Sequence, residues 1–237
     1  MRNLSGIKIA VIPARGGSKR IPRKNVKDFC GKPMIAWSIE AAKASGLFAH
    51  IIVSTDDAEI AEVAKTWGAE VPFTRPEELS DDYTATRPVV NHAIRQTEAI
   101  HGLSELVCCL YATAPFVQTS DLKRGLDILN ATGCEFAFTV TSFPYPIQRA
   151  LKITADGRIA MFYPEHLGSR SQELEEAFHD AGQFYWGRTQ AFLDEVPTFS
   201  QASVPIILPR YRVQDIDTPE DWLRAEILFR TLQAMEP

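Results

Sequence analysis

Over its first 142 residues the chain alternates short β-branched runs with longer amphipathic ones. The run Ile7-Lys8-Ile9-Ala10-Val11-Ile12 predicts a strand closed by Pro13. Pro33 then opens a helix whose apolar residues Ile35, Ile39, Ala42 and Leu47 recur at helical spacing. A second strand is predicted over 51–54. Asp56 or Asp57 caps the next helix, which carries Ile60, Val63, Ala64 and Trp67 and stops at Gly68. A third helix is read over 89–100 and a third strand over 106–111. Ser120 is expected to cap a helix reaching Leu129, and a fourth strand follows over 136–140. This alternation builds an α/β fold, a mostly parallel sheet with helices on both faces.

The rhythm breaks between about 143 and 180. Phe143-Pro144-Tyr145-Pro146 cannot continue a central strand, because proline donates no ladder bond. Short runs over 150–153 and 158–161 flank Asp156-Gly157, a hairpin signal, and a charged segment follows over 169–176. The stretch is expected to be a small excursion from a single domain spanning 1–237, and a natural place for a subunit contact. Strand patterning resumes over 183–186 and 205–208. A last helix is predicted over 219–232, behind Asp217-Thr218 as its cap. Trp37, Trp67 and Trp222 fall on apolar helix faces and read as core.

Composition supports one globular core. With 237 residues, 45% apolar and 23% charged, the chain needs neither disulfide nor metal to hold it together, and disordered or fibrous classes are excluded. A net charge of −5 argues against bulk attraction to nucleic acid or an anionic membrane. Cys30, Cys108, Cys109 and Cys134 form no CxxC pair. The adjacent Cys108 and Cys109 lie in an apolar run and read as buried thiols of a reducing, cytoplasmic compartment. No run approaches the roughly 18 apolar residues of a membrane helix. Lys8 interrupts the apolar stretch near the amino end, so no secretory leader is read there.

Against this acidic background one segment reverses sign. Ile12-Pro13-Ala14-Arg15-Gly16-Gly17-Ser18-Lys19-Arg20-Ile21-Pro22-Arg23-Lys24-Asn25 follows the first strand and so lies at the carboxyl edge of the sheet, where open α/β folds bind ligands. Its glycines let backbone approach a ligand closely, and Arg15, Lys19, Arg20, Arg23 and Lys24 supply five cations within ten residues. Together they point to a polyphosphate. A merely solvated basic loop would not call for glycines and prolines at a strand's end. G-x-G-x-x-G is absent, and the P-loop spacing fails.

A second signal is Val213-Gln214-Asp215-Ile216-Asp217-Thr218. On extended backbone Asp215 and Asp217 point to the same side, a site for a hard divalent cation such as Mg²⁺ in the company of phosphates. The competing explanation, that Asp217 caps the last helix, accounts for one aspartate and leaves Asp215 unexplained. His50, His92 and His101 show no ligand spacing and read as surface or strand-edge residues. Ser54-Thr55-Asp56-Asp57 ends a strand and is placed to line a site, though the capping role alone would account for it. No nucleophile pattern of serine, histidine and acid is found.

These residues resemble a known signature. Ile12-Pro13-Ala14-Arg15 with Gly-Gly-Ser-Lys and Lys24-Asn25 resembles the nonulosonate cytidylyltransferases, the CMP-sialic acid synthetase family. Gly31-Lys32-Pro33-Met34, Ile52-Val53-Ser54-Thr55-Asp56, Arg75-Pro76 and Asp215-Ile216-Asp217-Thr218 continue the match in family order. The resemblance implies a homodimeric enzyme of Rossmann-like nucleotidyltransferase fold that joins CTP to a nine-carbon sugar acid with Mg²⁺, releasing pyrophosphate. Ala14, Arg15, Gly16, Ser18, Lys19, Lys24, Asn25 and Arg75 would then hold CTP, and Asp215 and Asp217 the metal. Arg15, Lys19, Asp215 and Asp217 would carry the chemistry, as cations and a metal placed around a departing pyrophosphate.

The sugar side departs from the sialic acid branch. Gln-Pro-Thr-Ser-Pro is replaced by Tyr111-Ala112-Thr113-Ala114-Pro115, while Pro146-Ile147-Gln148-Arg149 and the segment from His179 to Trp186 look more like the pseudaminic acid branch. Tyr111, Thr113, Gln148, Arg149, Arg170 and Gln183 are the expected sugar contacts, with Arg149 and Arg170 reaching across a dimer. Tyr111 and Ala114 in place of polar residues, with Phe116, Phe143 and Tyr145 near in sequence, are expected to favour methyl and acylamino groups over hydroxyls. The rival readings are a sialic or legionaminic acid synthetase, a cytidylyltransferase for 3-deoxy-manno-octulosonate, and a non-catalytic CTP-binding module. The Gly-Gly-Ser-Lys loop argues against the octulosonate enzyme, and retention of both aspartates argues against the inert module.

Overall fold

A computed structural model describes residues 6–235. In chain order the elements are β1 (Ile7–Pro13), β2 (Asp28–Phe29), β3 (Lys32–Pro33), α1 (Met34–Ser45), β4 (His50–Ser54), α2 (Ala58–Trp67), α3 (Thr86–His101), β5 (Ser104–Leu110), α4 (Thr119–Thr132), β6 (Phe136–Ser142), β7 (Leu151–Ile153), β8 (Ile159–Met161), β9 (Phe178–Arg188), α5 (Thr189–Leu193), β10 (Ser203–Ile207) and α6 (Pro219–Met235). Six strands form one sheet in the order β10-β6-β9-β5-β1-β4. β1 pairs in parallel with β4 and β5, and β6 with β10, while β9 runs antiparallel between β5 and β6. Five strands therefore end at one edge, and β9 alone begins there.

The alternation of strand side chains divides the core. Ala10 and Ile12 face α1, α2 and α4, meeting Ile35, Ile39, Ile60, Leu122 and Leu129. Ile9 and Val11 face α3 and α5, meeting Val90, Ile94 and Phe192. A third cluster seats α6 on the start of α1 through Phe29, Met34, Trp222 and Phe229, with Phe29 and Trp222 edge-to-face at 5.3 Å. Cys108 and Cys109 are buried on opposite faces of β5, and burial pushes the Cys109 thiol up to about 12. Among the described residues no helix is long and apolar enough to cross a membrane.

One helix cap differs from expectation and two are narrowed to a single residue. Ser120 lies inside the first turn of α4, whose preceding residue Gln118 makes no side-chain cap bond. At α6 the cap is Thr218: its hydroxyl accepts the Asp221 N–H at 3.2 Å, and the Asp221 carboxylate accepts the N–H groups of Thr218 at 2.8 Å and Asp217 at 3.2 Å. This reciprocal box leaves the Asp217 carboxylate unused by the helix. At α2 the choice falls on Asp57, which accepts the Ile60 N–H at 3.0 Å.

Residues 143–177 leave the sheet between β6 and β9. They carry the antiparallel pair β7–β8, turned at Gly157 with φ 76°, and Phe178 already opens β9.

Candidate active site

β1, β4 and β5 end together at a cleft of about 490 Å³, within the range of small-molecule sites. Its walls are Pro13, Arg15, Ser18, Lys19, Arg20, Lys24 and Asn25 from the glycine loop, Arg75, Asp82, Thr84, Thr86 and Val89 from the approach to α3 and its first turn, Tyr111 to Thr113 beyond β5, and Asp217.

The loop is shaped by its own backbone bonds. The Ala14 N–H donates to the Ser54 carbonyl at 2.9 Å, carrying the β1–β4 ladder one residue past Pro13. The Ala14 side chain itself is buried in the core. The Gly16 N–H donates to Asp56 Oδ1 at 3.0 Å, and a Cβ on Gly16 would stand 2.7 Å from Asp57 Oδ2, so a side chain there would displace Asp57 from its cap and its pairing with Arg23. A Cβ on Gly17 would meet nothing within 4 Å. Asn25 Nδ2 closes the loop by donating to the Arg15 carbonyl at 3.0 Å. The Ser18 hydroxyl donates inward to the Ile21 carbonyl at 2.7 Å. Arg23, at φ 58°, turns away from the cleft and pairs with Asp57 at 2.6 Å and with Glu59. Its hydrogen bonds hold the Asp57 carboxyl down at about 2.

Every loop cation in the cleft already has a carboxylate partner. Arg15 Nη1 donates to Asp82 Oδ1 at 2.8 Å and to the Asp81 carbonyl at 2.6 Å, and Lys19 pairs with the other Asp82 oxygen. Arg20 meets Asp217 Oδ2 at 2.8 Å, while Lys24 Nζ donates to Asp217 Oδ1 at 3.2 Å and to the Ile216 carbonyl at 2.7 Å. Solvent-exposed pairs of this kind are weak, so a phosphate chain competes well for the same cations. Arg75 is different: it is buried, its Nε donates to Ser54 Oγ at 3.2 Å and its Nη2 to the Ser54 carbonyl, and burial lowers its pKa to about 10. It remains a cation at neutral pH.

Asp215 and Asp217 flank Ile216, which is anchored in the third core cluster. The surrounding protein strips solvation from the Asp215 carboxylate, and the Asp217 charge opposes its ionisation, so its pKa is raised. A cation between two such carboxylates relieves that opposition, and the donor set of hard oxygens fits Mg²⁺. The segment is braced from below. Arg212 Nη1 pairs with the buried Asp121 at 2.6 Å, and Gln183 Nε2 donates to the Arg212 carbonyl at 2.6 Å. Asp82 and Asp121 were not singled out by the sequence reading, because lone aspartates in polar connections carry no spacing signal, whereas Asp56 was read as a helix cap or a site-lining residue and holds the Gly16 N–H.

Of the expected sugar contacts, Tyr111 and Thr113 stand in the cleft wall. Behind Tyr111 lies a cavity of about 220 Å³ whose lining includes Val90, Cys109, Asp180, Tyr185, Phe192 and Phe199. The Tyr185 hydroxyl donates to Asp180 Oδ2, and burial raises the pKa of both tyrosines, which keeps them protonated. Gln183 is buried under the cleft, its carbonyl accepting the Tyr111 N–H at 2.9 Å. Gln148, Arg149 and Arg170 are not in the cleft walls. Gln148 Nε2 donates to the Glu175 carbonyl at 3.0 Å, Arg149 Nη1 to Ser171 Oγ at 3.3 Å, and Arg170 is exposed on the excursion.

The expected aromatic lining is corrected. Phe116 packs on Phe229 at 5.9 Å in the core, and Ala114 is buried as well. Phe143 and Tyr145 line a separate surface cavity on the excursion. The apolar surface beside the cleft comes instead from α3, β5, β9 and the segment after α5.

Residues 9–144 match the family described as Cytidylyltransferase. Over 222 residues, 94% of this chain and 96% of the relative, the sequence is 47% identical to a Campylobacter jejuni protein named pseudaminic acid cytidylyltransferase. The chain belongs to the cytidylyltransferase family. A more distant relative is the Legionella pneumophila CMP-N,N'-diacetyllegionaminic acid synthase, 31% identical over 95% of this chain and 97% of its own. A solved CMP:2-keto-3-deoxy-manno-octonic acid synthetase complexed with CTP shares the fold, with TM-score 0.68 over 95% of this chain and 99% of that one at 17% identity. The family match takes in the glycine loop, Arg75 and the Tyr111 wall of this cytidylyltransferase, while Asp215 and Asp217 lie beyond its end.

Proposed function

We propose that this protein transfers the cytidylyl group of CTP to a nine-carbon sugar acid, pseudaminic acid in the first place, with release of pyrophosphate. The observation that carries the reading is the set of loop cations, Arg15, Lys19, Arg20 and Lys24, gathered at the ends of β1, β4 and β5 on a loop where a side chain at Gly16 would displace Asp57. The triphosphate displaces Asp82 from Arg15 and Lys19. The sugar's anomeric hydroxyl attacks the α-phosphorus, a P–O bond forms, the α–β bridging bond breaks, and the hydroxyl proton passes to solvent. Arg15 and Lys19 hold the pyrophosphate as its charge grows, and Arg75 fixes the nucleoside end from its seat on Ser54. Asp215 and Asp217 would hold Mg²⁺, which supplies charge neutralisation to the phosphate oxygens when bound.

The acceptor assignment draws on the 47% identical relative's name and on the cavity behind Tyr111, where Val90, Phe192 and Phe199 suit a methyl group and Arg87, Asp180 and Thr198 offer polar partners to an acylamino group. The excursion supports a homodimer. Leu151, Ile153, Ile159 and Leu167 are each more than half exposed there, an apolar surface that a second copy would cover. A CTP-consuming enzyme of this kind belongs in the cytoplasm. The test is pyrophosphate release with CTP, Mg²⁺ and pseudaminic, legionaminic or N-acetylneuraminic acid in competition. The expected result is the highest kcat/KM for pseudaminic acid; equal or better kcat/KM for N-acetylneuraminic acid overturns the acceptor assignment, and no release with any of the three overturns the reaction.

A further inference from the structure

At the opposite end of the sheet the fold assembles three residues that the sequence keeps apart, contrary to the reading of His50 and His101 as unconnected edge residues. His50 opens the edge strand β4, His101 ends α3, and Glu70 lies on the segment that bridges to Ile52 alongside β4. The two imidazoles stack with ring centroids 3.8 Å apart. Both turn a nitrogen to the same carboxylate, His50 Nδ1 at 2.8 Å from Glu70 Oε1 and His101 Nε2 at 3.2 Å from Glu70 Oε2. The three ligand atoms lie within 4.8 Å of one another. His101 Nε2 is sealed from solvent yet makes no well-formed hydrogen bond.

From this geometry we infer a divalent transition-metal site of His50, Glu70 and His101, with Zn²⁺ as the fitting ion. Two imidazole nitrogens and one carboxylate oxygen are a zinc donor set, and the half-exposed Glu70 leaves the fourth position to water. A metal would replace the loose contact of His101 Nε2 with Glu70 by a direct bond. It also sits at the carbonyl end of α3, where the helix dipole favours positive charge. The Ser54 end of β4, where Arg75 is bound, is four residues of extended chain away, roughly 13 Å. The site is therefore separate from the cleft and would act as a clasp between α3 and the sheet's edge strand.

Co²⁺ serves as the probe, because four-coordinate Co²⁺ absorbs strongly in the visible. The full chain, saturated with CTP and excess Mg²⁺ to occupy the cleft, should take up one Co²⁺ with that band and yield it to Zn²⁺, and Zn²⁺ should raise Tm by several degrees. His101→Ala and Glu70→Gln should each lose the band and raise the Zn²⁺ Kd at least tenfold, while turnover in metal-chelated, Mg²⁺-restored buffer stays at the unsubstituted level. His50→Gln, milder in the packing, gives a third check. No band in the unsubstituted protein, or a band that survives both His101→Ala and Glu70→Gln, overturns the site.

Discussion

The cleft and the excursion treat their polar and apolar groups in opposite ways. At the cleft, Arg15, Lys19, Arg20 and Lys24 all have carboxylate partners, and the loop backbone is tied to Ser54, Asp56 and Asn25. On the excursion, Arg149 reaches only a serine hydroxyl, while Ile153 and Leu167 are about four-fifths and three-quarters exposed. The first region pairs each of its cations with a carboxylate of the same chain. The second is apolar where a solvated surface would be polar. One chain thus presents matched charges in one region and uncovered apolar side chains in the other.

The strongest way to break this contrast is at Asp215, one of the two carboxylates proposed to hold Mg²⁺. Asp215→Asn should lower Mg²⁺-dependent pyrophosphate release by about 10²–10³-fold with the fold intact, the usual cost of one preorganised charge. Wild-type release across a Mg²⁺ titration would make the pair structural. Next in size is the excursion. Ile153→Asp with Leu167→Asp should convert a dimer to monomer at micromolar concentration by light scattering, since each buried aliphatic side chain contributes about 1.5–3 kcal/mol. A dimer unchanged by the double substitution would place the subunit contact elsewhere.

The carboxylate partners give a subtler test. Lys19→Ala should weaken CTP binding roughly tenfold with Tm nearly unchanged, because an exposed pair contributes little to the fold. Asp82→Asn should act in the opposite direction, strengthening CTP binding a few-fold by freeing Arg15 and Lys19, as read by calorimetry. Weaker binding by Asp82→Asn would show that Asp82 positions the cations rather than competing for them. The smallest effect is the Arg23–Asp57 pair. Asp57 has its pKa depressed to about 2. Its contribution is present above the unfolded carboxylate pKa and is lost as pH falls from about 4 through 2. Arg23→Gln should therefore cost about 1 kcal/mol at pH 7, after solvent screening, and almost nothing near pH 2.

The sequence made the parallel half of the sheet legible because its strands are short, mostly apolar runs set between amphipathic helices, and because a helix such as α2 ends at a glycine, Gly68. The glycine loop was legible for a different reason, a local reversal of charge in an acidic chain. β9 was foreseen as only a four-residue core at 183–186. Its first residues, Phe178-His179-Asp180, are polar and aromatic and carry no alternation that marks them as the partner of β6. Asp82 was invisible because an acidic residue in a turn is ordinarily just solvated. His50 and His101 were read as unconnected for a related reason: fifty-one positions separate them, and only the packing of α3 on β4 brings the rings together. The aromatic residues after Pro115 misled, since the chain turns there and sends Phe116 to α6 rather than into the cleft.

The antiparallel β9 has a consequence for how the excursion can vary. Because Ser142 pairs with Phe178, the excursion begins and ends at adjacent points of the same sheet edge. In effect it is the loop of an oversized hairpin. Lengthening such a loop is cheap, about 0.6 kcal/mol for each doubling. Changes in the length or sequence of 143–177 are therefore expected to leave β6, β9 and the strands that frame the cleft in register, which melting temperatures of chains with altered segments would check.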